Sequence, residues 1–196
     1  DCLIEGGQTM NPSTEDMLKA IERVNAENIF ILPNNKNIIM AAQQARDLTE
    51  DKNIIVIPSR TVPQGITALV NFMPDLGPEE NTQTMTEEMG NVRTAQITYA
   101  VRTTNIDGID IEEGDIMALG DHGILAVGKS VDGVALEAMK EMLDEECELV
   151  TIYYGADVSE HEAKVLEEQA QEQYPDKEIE LQYGGQPIYY YLISAE

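Results

Sequence analysis

The sequence has few cysteines, few histidines and no long apolar run. Only two of its 196 residues are cysteine (Cys2 and Cys147) and only two are histidine, which favours a reducing compartment over a disulfide framework or a zinc site. Its apolar runs have the length of strands, whereas a membrane span needs about 20 apolar residues. No signal segment opens the chain. We therefore expect a cytoplasmic protein without membrane insertion and, because it begins with Asp1 rather than methionine, a fragment of a longer protein.

Cations are also scarce, with 12 Lys and Arg against 37 Asp and Glu, and the net charge is −25. Residues 1–60 hold 9 acidic and 6 basic side chains, whereas residues 137–180 hold 15 and 3. Such a surface repels phosphate backbones and anionic lipid headgroups, so no nucleic-acid partner is expected. Two interpretations stay open: a solubilising face, or a surface that docks a basic partner. An anionic ligand would meet the least repulsion in residues 1–60.

The first part of the chain alternates helical and strand patterns. Helices are predicted over 13–24, 36–47 (capped by Asn35) and 64–72, and strands over 28–32 and 53–57, with Leu3–Ile4 as a preceding strand. Strands that are apolar on both faces and alternate with helices indicate parallel βαβ units. Residues 1–75 are therefore predicted to form a parallel α/β lobe with three polar loops.

The rest of the chain changes character. Residues 76–92 are predicted to be an acidic connecting segment with a helix around 78–89. Residues 93–196 are predicted to be a mixed α/β lobe: a strand near 96–101, a hairpin over 116–127, helices at 133–143 and 159–173, and strands at 148–154, 178–183 and 187–194. The last strand is a candidate to return to the first lobe. The predicted fold class is thus α/β and two-lobed, a parallel βαβ sheet lobe followed by a mixed-sheet α/β lobe.

A polar loop follows each of the three predicted strands of the first lobe. Because parallel strands end at one edge of a sheet, where open α/β folds place ligand crevices, these loops are predicted to form one ligand-binding or partner-binding site. Lys36 and Arg60 would be its cations. A turn with a helix cap is the open alternative for the first loop, but capping explains Ser13 and Thr14 only. The predicted site residues are Gly6, Gly7, Gln8, Thr9, Asn11, Ser13, Thr14, Asn34, Asn35, Lys36, Asn37, Arg60, Thr61, Gln64 and Gly65.

Two further features are open to a functional interpretation. Asp121 and His122 could form an acid–base pair, but a hairpin tip is a common place for both residue types. Tyr189–Tyr191, on the last predicted strand, are interpreted as core and edge packing rather than as a stacking platform. No catalytic residue and no metal ligand is predicted.

Five segments together resemble one family: EGGQTMNPSTED (5–16), LPNNKN (32–37), IPSRTVPQGI (57–66), ITYAVR (97–102) and GGQPIYYYLISAE (184–196). They resemble the C-terminal region of bacterial proteins related to dihydroxyacetone kinase, including the catalytic subunits of fatty acid kinases. The resemblance runs from near residue 1 to the end of the chain. It implies a two-lobed DegV-like fold, similar to DegV and to the substrate-binding subunit of dihydroxyacetone kinase.

The resemblance also implies a function. In such proteins an N-terminal kinase domain, absent from this chain, binds ATP and magnesium and phosphorylates a fatty acid for phospholipid synthesis. The fatty acid is held by a separate DegV-like protein, which the C-terminal region is expected to engage together with fatty acid or acyl phosphate. A homodimer of the full-length protein is compatible with this. The fragment itself is expected to need no cofactor and to catalyse nothing alone, because it has no aspartate cluster resembling the kinase metal site.

Two alternatives remain open at this point. The first is a small-ligand domain of a dihydroxyacetone kinase-like protein, which would bind a carboxylate or phosphate at the three loops. No histidine matches the one that holds dihydroxyacetone covalently in that family. The second is an autonomous enzyme that uses Asp121 and His122.

Overall fold

The computed structural model describes residues 1–6, 11–106 and 108–196, which form two compact units, residues 1–92 and 93–196. The first unit contains α1 (Thr14–Arg23), β1 (Asn28–Ile31), α2 (Ile39–Leu48), β2 (Asn53–Val56), α3 (Val62–Val70) and α4 (Pro78–Asn91). The second contains β3 (Arg93–Tyr99), β4 (Thr104–Ile106), β5 (Ile109–Ile111), β6 (Ile116–Gly120), β7 (Ile124–Gly128), α5 (Val131–Met142), β8 (Leu149–Tyr154), α6 (Glu160–Gln173), β9 (Glu178–Tyr183) and β10 (Tyr191–Ala195). Among the described residues, no helix is both long and apolar enough to cross a membrane.

Strands β1 and β2 of the first unit pair in parallel, with Ile29 opposite Ile54. Side chains alternate between the faces of a strand, so these two residues bury on one face with the apolar sides of α1 and α2. Phe30 packs on the other face, in a cluster that includes Met85 and Met89 of α4. The two strands are thus covered on both faces, as the continuous apolar runs predict.

Helix α1 begins at the predicted place. The Ser13 hydroxyl accepts a hydrogen bond from the Asp16 N–H, and the Asp16 carboxylate accepts one from the Ser13 N–H, which together form a capping box. The Ser13 hydroxyl also donates to this carboxylate at 2.7 Å, and this bond, followed by the one from the Ser13 N–H, holds the pKa of Asp16 below its usual value. One turn further, Met17 and Ile21 are buried in the core of the unit.

Residues 76–92 belong to the first unit instead of connecting two lobes. Helix α4 packs against α3, and its buried Asn81 holds the preceding turn. The Asn81 side chain accepts from the Met73 N–H at 2.8 Å and donates to the carbonyls of Met73, Leu76 and Gly77. Four bonds from one buried amide fix this turn, because a buried amide without partners would destabilise the fold.

The second unit is built on a six-stranded sheet in the order β7-β6-β3-β10-β8-β9. All neighbours are antiparallel except β8 and β9, which are parallel and joined through α6. Helices α5 and α6 contact the sheet, and the apolar core includes Ile97, Met139, Ile152, Leu166 and Ile193. The mixed α/β character predicted for residues 93–196 is what the structure shows.

Several local predictions were wrong. The last strand does not return to the first lobe: β10 pairs with β3 and β8 inside the second unit, and it begins at Tyr191 rather than at 187. Leu3–Ile4 form no strand, and Leu3 is 84 % exposed. The hairpin of β4 and β5 was not predicted, because strands of three largely exposed residues carry no apolar periodicity.

Candidate functional site

The loops that follow β1 and β2 are joined by a pair of side chains. The Ser59 hydroxyl donates to Asn34 Oδ1 at 2.7 Å and accepts from the Asn34 N–H at 3.0 Å. Ser59 is fully buried, and Asn34 has a φ of 55°, a left-handed conformation that asparagine tolerates better than most residues. Two of the three predicted loops therefore lie together at the carboxyl ends of the parallel strands.

Gly65 completes this junction from α3. A Cβ at this position would lie 1.9 Å from Asn34 Oδ1, so the asparagine side chain rests directly on the glycine backbone. Only glycine permits this close approach. Asn34 and Gly65, both predicted site residues, are therefore in contact, and this contact braces the two loops against each other.

The third loop caps α3. Thr61 is the N-cap and its hydroxyl accepts from the Gln64 N–H at 3.4 Å, while the Gln64 side chain accepts from the Arg60 N–H at 2.9 Å. The Gln64 amide also donates to the Val92 carbonyl at 3.4 Å. Both Thr61 and Gln64 are buried, and their polar atoms are used within the unit.

In the two joined loops, the predicted site residues with exposed side chains are Lys36, Asn37 and Arg60. No ion pair joins Lys36 or Arg60 to any acidic side chain of the described residues, although the chain is strongly acidic. The predicted cap at Asn35 was wrong: α2 starts after Ile38 with no side-chain cap, and Asn35 instead accepts from the Asn37 N–H at 2.9 Å. The joined loops thus present cations and an amide at their outer surface.

The first predicted loop contributes differently. Gly7, Gln8 and Thr9 lie outside the described residues. Gly6 and Asn11 are exposed, Ser13 caps α1, and Thr14 donates to Gln44 of α2 at 3.0 Å. No hydrogen bond or ion pair within the described chain links Asn11 or Ser13 to the other two loops. The alternative of a turn with a helix cap therefore describes Ser13, whereas Thr14 ties α1 to α2.

An exposed apolar face on α3 was missed by the sequence interpretation. Val62, Ile66, Leu69 and Val70 recur at helical spacing and are 47, 41, 60 and 76 % exposed, and Met73 follows at 54 %. The opposite face of α3 is buried, including Ala68. None of residues 61–74 is charged, in a chain of net charge −25, and this absence is the signal that could have revealed the surface. We call these five residues the α3 face.

Asp121, the first residue of the Asp121–His122 pair, has a structural role. The Asp121 carboxylate accepts from the Thr94 N–H at 2.9 Å and from the Thr94 hydroxyl at 2.7 Å, which holds the β6–β7 turn against β3. His122 is exposed and has no hydrogen bond to any residue that the structure describes. A carboxylate already engaged by Thr94 gives no support to an acid–base function here.

Neither of two surface cavities involves the predicted site. One, of about 360 Å³, lies in the first unit and is lined by Leu18, Glu22, Leu48 and Lys52 among others. The other, of about 200 Å³, lies in the second unit. Within the described part of the chain, no three His, Cys, Asp or Glu side chains are grouped closely enough to hold a metal ion.

Comparison with solved structures identifies the fold as DegV-like. A DegV family protein from Corynebacterium glutamicum superimposes with a TM-score of 0.65 at 13 % identity, covering 98 % of this chain and 86 % of that one. The Streptococcus pneumoniae fatty acid kinase B3 protein, solved with linoleic acid, gives 0.64 at 16 % identity, covering 94 % and 76 %. The dihydroxyacetone kinase of C. freundii gives 0.61 at 15 % identity, covering 94 % and 41 %.

Sequence comparison gives the family. The family model for the C-terminal domain of FakA-like fatty acid kinase proteins matches residues 1–196, and the chain belongs to this family. It is 47 % identical over 194 residues to protein YloV of Bacillus subtilis and 42 % identical to an uncharacterized protein of Staphylococcus aureus strain USA300, covering 99 % of this chain in each case. The chain spans 35 % of the length of each of these relatives.

Proposed function

We propose that this chain is the part of a fatty acid kinase-like protein that docks a DegV-like protein carrying a fatty acid. A kinase domain elsewhere in the longer protein would supply ATP and magnesium and phosphorylate the fatty acid. The observation that carries the proposal is the exposed α3 face beside the joined loops. Exposed apolar clusters bordered by polar residues are characteristic of protein–protein interaction sites.

The magnitudes are consistent with a docking surface. Burying a fully exposed Val or Leu side chain contributes about 1.5–3 kcal/mol. Leu69 and Val70, at 60 and 76 % exposed, together offer about 2–4 kcal/mol. Micromolar affinity needs about 8 kcal/mol in addition to the cost of association. The whole α3 face, rather than one residue, must therefore take part.

Charge favours the same surface. An approaching protein meets no carboxylate along residues 61–74, and Lys36 and Arg60 lie on the neighbouring loops without acidic partners among the described residues. Exposed charges at the rim of an interface act mainly on the association rate and its salt dependence. Arg60 and Lys36 would therefore orient the partner, while the α3 face would supply the affinity.

Calorimetric titration with a fatty-acid-loaded DegV-like protein tests the proposal. The double variant Leu69→Asn/Val70→Asn should weaken binding at least tenfold, since it removes apolar area without adding charge. A matched control is Met40→Asn/Leu48→Asn, which alters two equally exposed apolar residues on α2, 69 and 65 % exposed. Equal affinity of both double variants, or no binding by the unmodified chain at low salt, would refute docking through α3.

The alternative of a small anionic ligand is favoured by Lys36 and Arg60 alone. Against it, Asn34, Ser59, Thr61 and Gln64 already use polar atoms within the unit, which leaves few groups to converge on a ligand. Titration with inorganic phosphate or acetate separates the two ideas. Saturable binding that is lost in the Lys36→Ala/Arg60→Ala variant would support the ligand-binding alternative.

A further inference from the structure

The second cavity lies where two helices begin beside the first residue of β10. Helix α5 starts after Ser130, α6 starts after Ser159, and Tyr191 opens β10 opposite Tyr154 at the carboxyl end of β8. Asp132, Asp157, Glu162 and Tyr191 line the cavity, together with two valines, Ser130 and Tyr190. Carboxyl ends of strands in α/β sheets are the usual places of ligand crevices.

Tyr191 indicates that something polar enters the cavity. The residue is 1 % exposed, yet its hydroxyl makes no hydrogen bond with any described residue. Burial raises the pKa of this hydroxyl far above its usual value, so it stays a neutral phenol with a donor and free lone pairs. The hydroxyl is not sealed from solvent, so a partner for it can come from the cavity that Tyr191 lines. Phenylalanine would fill the same space without an unpaired hydroxyl.

The charge of the cavity selects the partner. Asp132 makes neither a hydrogen bond nor an ion pair with the described residues, and burial, then the nearby Glu162, raises the pKa of its carboxyl group. Glu162 already accepts hydrogen bonds from the Ser159 hydroxyl and, second in effect, from the Ser159 N–H, and both lower its pKa. No lysine or arginine is among the described residues that line the cavity. A cation with N–H donors would complement Asp132 and Tyr191.

An ammonium group fits better than the other ions. Metal ions need several ligands converging within about 2–2.6 Å, and the described carboxylates are not grouped in that way. The two helix starts would attract an anion, but Asp132 and Glu162 occupy their first turns and offset that field. An ammonium group, by contrast, has three N–H donors, which can bond acceptors that lie apart from one another.

Hydrogen bonds and close backbone contacts position the segment 184–191, which supplies Tyr190 and Tyr191 to this wall of the cavity. Ile188 has a φ of 72°, rare for a β-branched residue, and such conformations cluster at functional sites. The Gly155 N–H donates to the Tyr190 carbonyl at 2.8 Å, and a Cβ on Gly155 would lie 2.2 Å from the Tyr189 carbonyl oxygen. Gln186 also donates to the Tyr153 carbonyl at 2.9 Å. These contacts place Tyr190 and Tyr191 at the wall of the cavity.

We propose that this cavity binds a primary ammonium group, with the Asp132 carboxylate as its counterion and the Tyr191 hydroxyl oxygen as a second acceptor. The ammonium comes either from a small free amine or from a lysine side chain of a protein. The site lies in the second unit, so it stands independently of docking through α3.

Backbone amide NMR of the 196-residue chain at constant ionic strength provides the test, with ethylammonium chloride as the probe. Saturable shifts are expected at residues 130–132, 157–162 and 190–191. Asp132→Asn should weaken binding at least tenfold and Tyr191→Phe about threefold or more. The control Asp75→Asn, which removes an exposed charge in the first unit, should leave the affinity unchanged. Without probe, Tyr191→Phe should melt at the same temperature as the unmodified chain or higher, which separates lost binding from lost folding.

N-acetyl-lysine N-methylamide distinguishes the two sources of the ammonium group. Binding at least tenfold tighter than ethylammonium identifies a protein lysine, and equal or weaker binding identifies a small amine. The proposal is overturned if no shifts saturate, if Asp132→Asn or Tyr191→Phe binds ethylammonium as tightly as the unmodified chain, or if sodium, magnesium or acetate produces the same shifts more strongly.

Discussion

Asn34 and Ser59 exchange two hydrogen bonds although 25 residues separate them in the chain. The Asn34 N–H donates to the serine hydroxyl, and that hydroxyl donates back to the asparagine side chain. The buried serine thereby satisfies two polar groups of the neighbouring loop at once. This junction, extended by Gly65, fixes the positions from which Lys36 and Arg60 project.

Removal of the serine hydroxyl should destabilise the first unit. Ser59→Ala leaves the Asn34 N–H and side-chain oxygen without a partner, and unpaired buried polar groups cost about 1–3 kcal/mol. Urea denaturation should therefore show a free energy of unfolding lower by that amount. Ser130→Ala is the control, because Ser130 is exposed and makes no side-chain cap bond, so its change should stay within about 0.5 kcal/mol. Equal effects of both variants would contradict the bracing function of Ser59.

Gly65 and Asn34 should be energetically coupled. Gly65→Ala places a methyl group where Asn34 Oδ1 lies, so the asparagine must move, and we expect a loss of about 2 kcal/mol or more. In an Asn34→Gly background the methyl group has room, and alanine in a helix should then be neutral or stabilising by up to about 1 kcal/mol. The coupling energy from unfolding free energies should therefore exceed about 1 kcal/mol.

Gly90→Ala is the matched control for this cycle. A Cβ at Gly90 in α4 meets nothing within 4 Å, so alanine should stabilise by about 0.5–1 kcal/mol. Additive effects of Gly65→Ala and Asn34→Gly would show that the close contact does not constrain the loop.

Much of the fold could be predicted from local patterns in the sequence. Ser13 followed by Asp16 and an apolar stripe predicted helix α1, and apolar runs bounded by proline predicted β1 and β2. These features depend on neighbours within a few residues, so the sequence contains them directly. The DegV-like fold and the family were predicted from the resemblance of motifs spread over the whole chain. The comparisons with known proteins confirmed both.

What could not be predicted depends on distant partners. The position of β10 between β3 and β8 is a matter of strand pairing, and its apolar pattern is the same for any buried place in a sheet. The α3 face is apolar on a helix whose other side is also apolar, so periodicity cannot tell which side is buried. The bond between Asn34 and Ser59 likewise leaves no local signal.

Asp115 should make stability depend on pH. Lys129 bonds its carboxylate and the Glu112 N–H donates to it at 2.9 Å, and these two contacts, in that order, hold its pKa below the usual value. A lowered folded-state pKa contributes stability above the ordinary aspartate pKa of about 3.9, and the contribution is lost as the pH falls through the folded-state value. Asp115→Asn should therefore lower the urea midpoint near pH 7, and the difference should shrink on acidification.

The measurement is the urea midpoint of Asp115→Asn and the unmodified chain from about pH 7 to about pH 2. Asp75→Asn is a suitable control, because Asp75 is exposed and has no hydrogen bond or ion pair in the described part of the chain. Its midpoint should follow that of the unmodified chain throughout. A difference for Asp115→Asn that stays constant down to the lowest pH would contradict the assignment.

Lys52 should stabilise the first unit by binding the end of α1. Its ammonium group donates to the carbonyls of Ile21 and Val24, both at 2.8 Å, at the C-terminal end of the helix, where the dipole favours a cation. Lys52→Met keeps the aliphatic stem but loses both bonds, at an expected cost of about 1–3 kcal/mol.

Lys177 bonds two carbonyls of the second unit in the same way, at 2.8 and 2.7 Å. Hydrogen exchange should therefore show that Lys52→Met loses protection mainly in residues 1–92. Lys177→Met should lose protection mainly in residues 93–196. The control Lys19→Met breaks only an exposed ion pair and should change protection little. Uniform loss across both units in either variant would mean that they unfold together and that these lysines do not act within separate units.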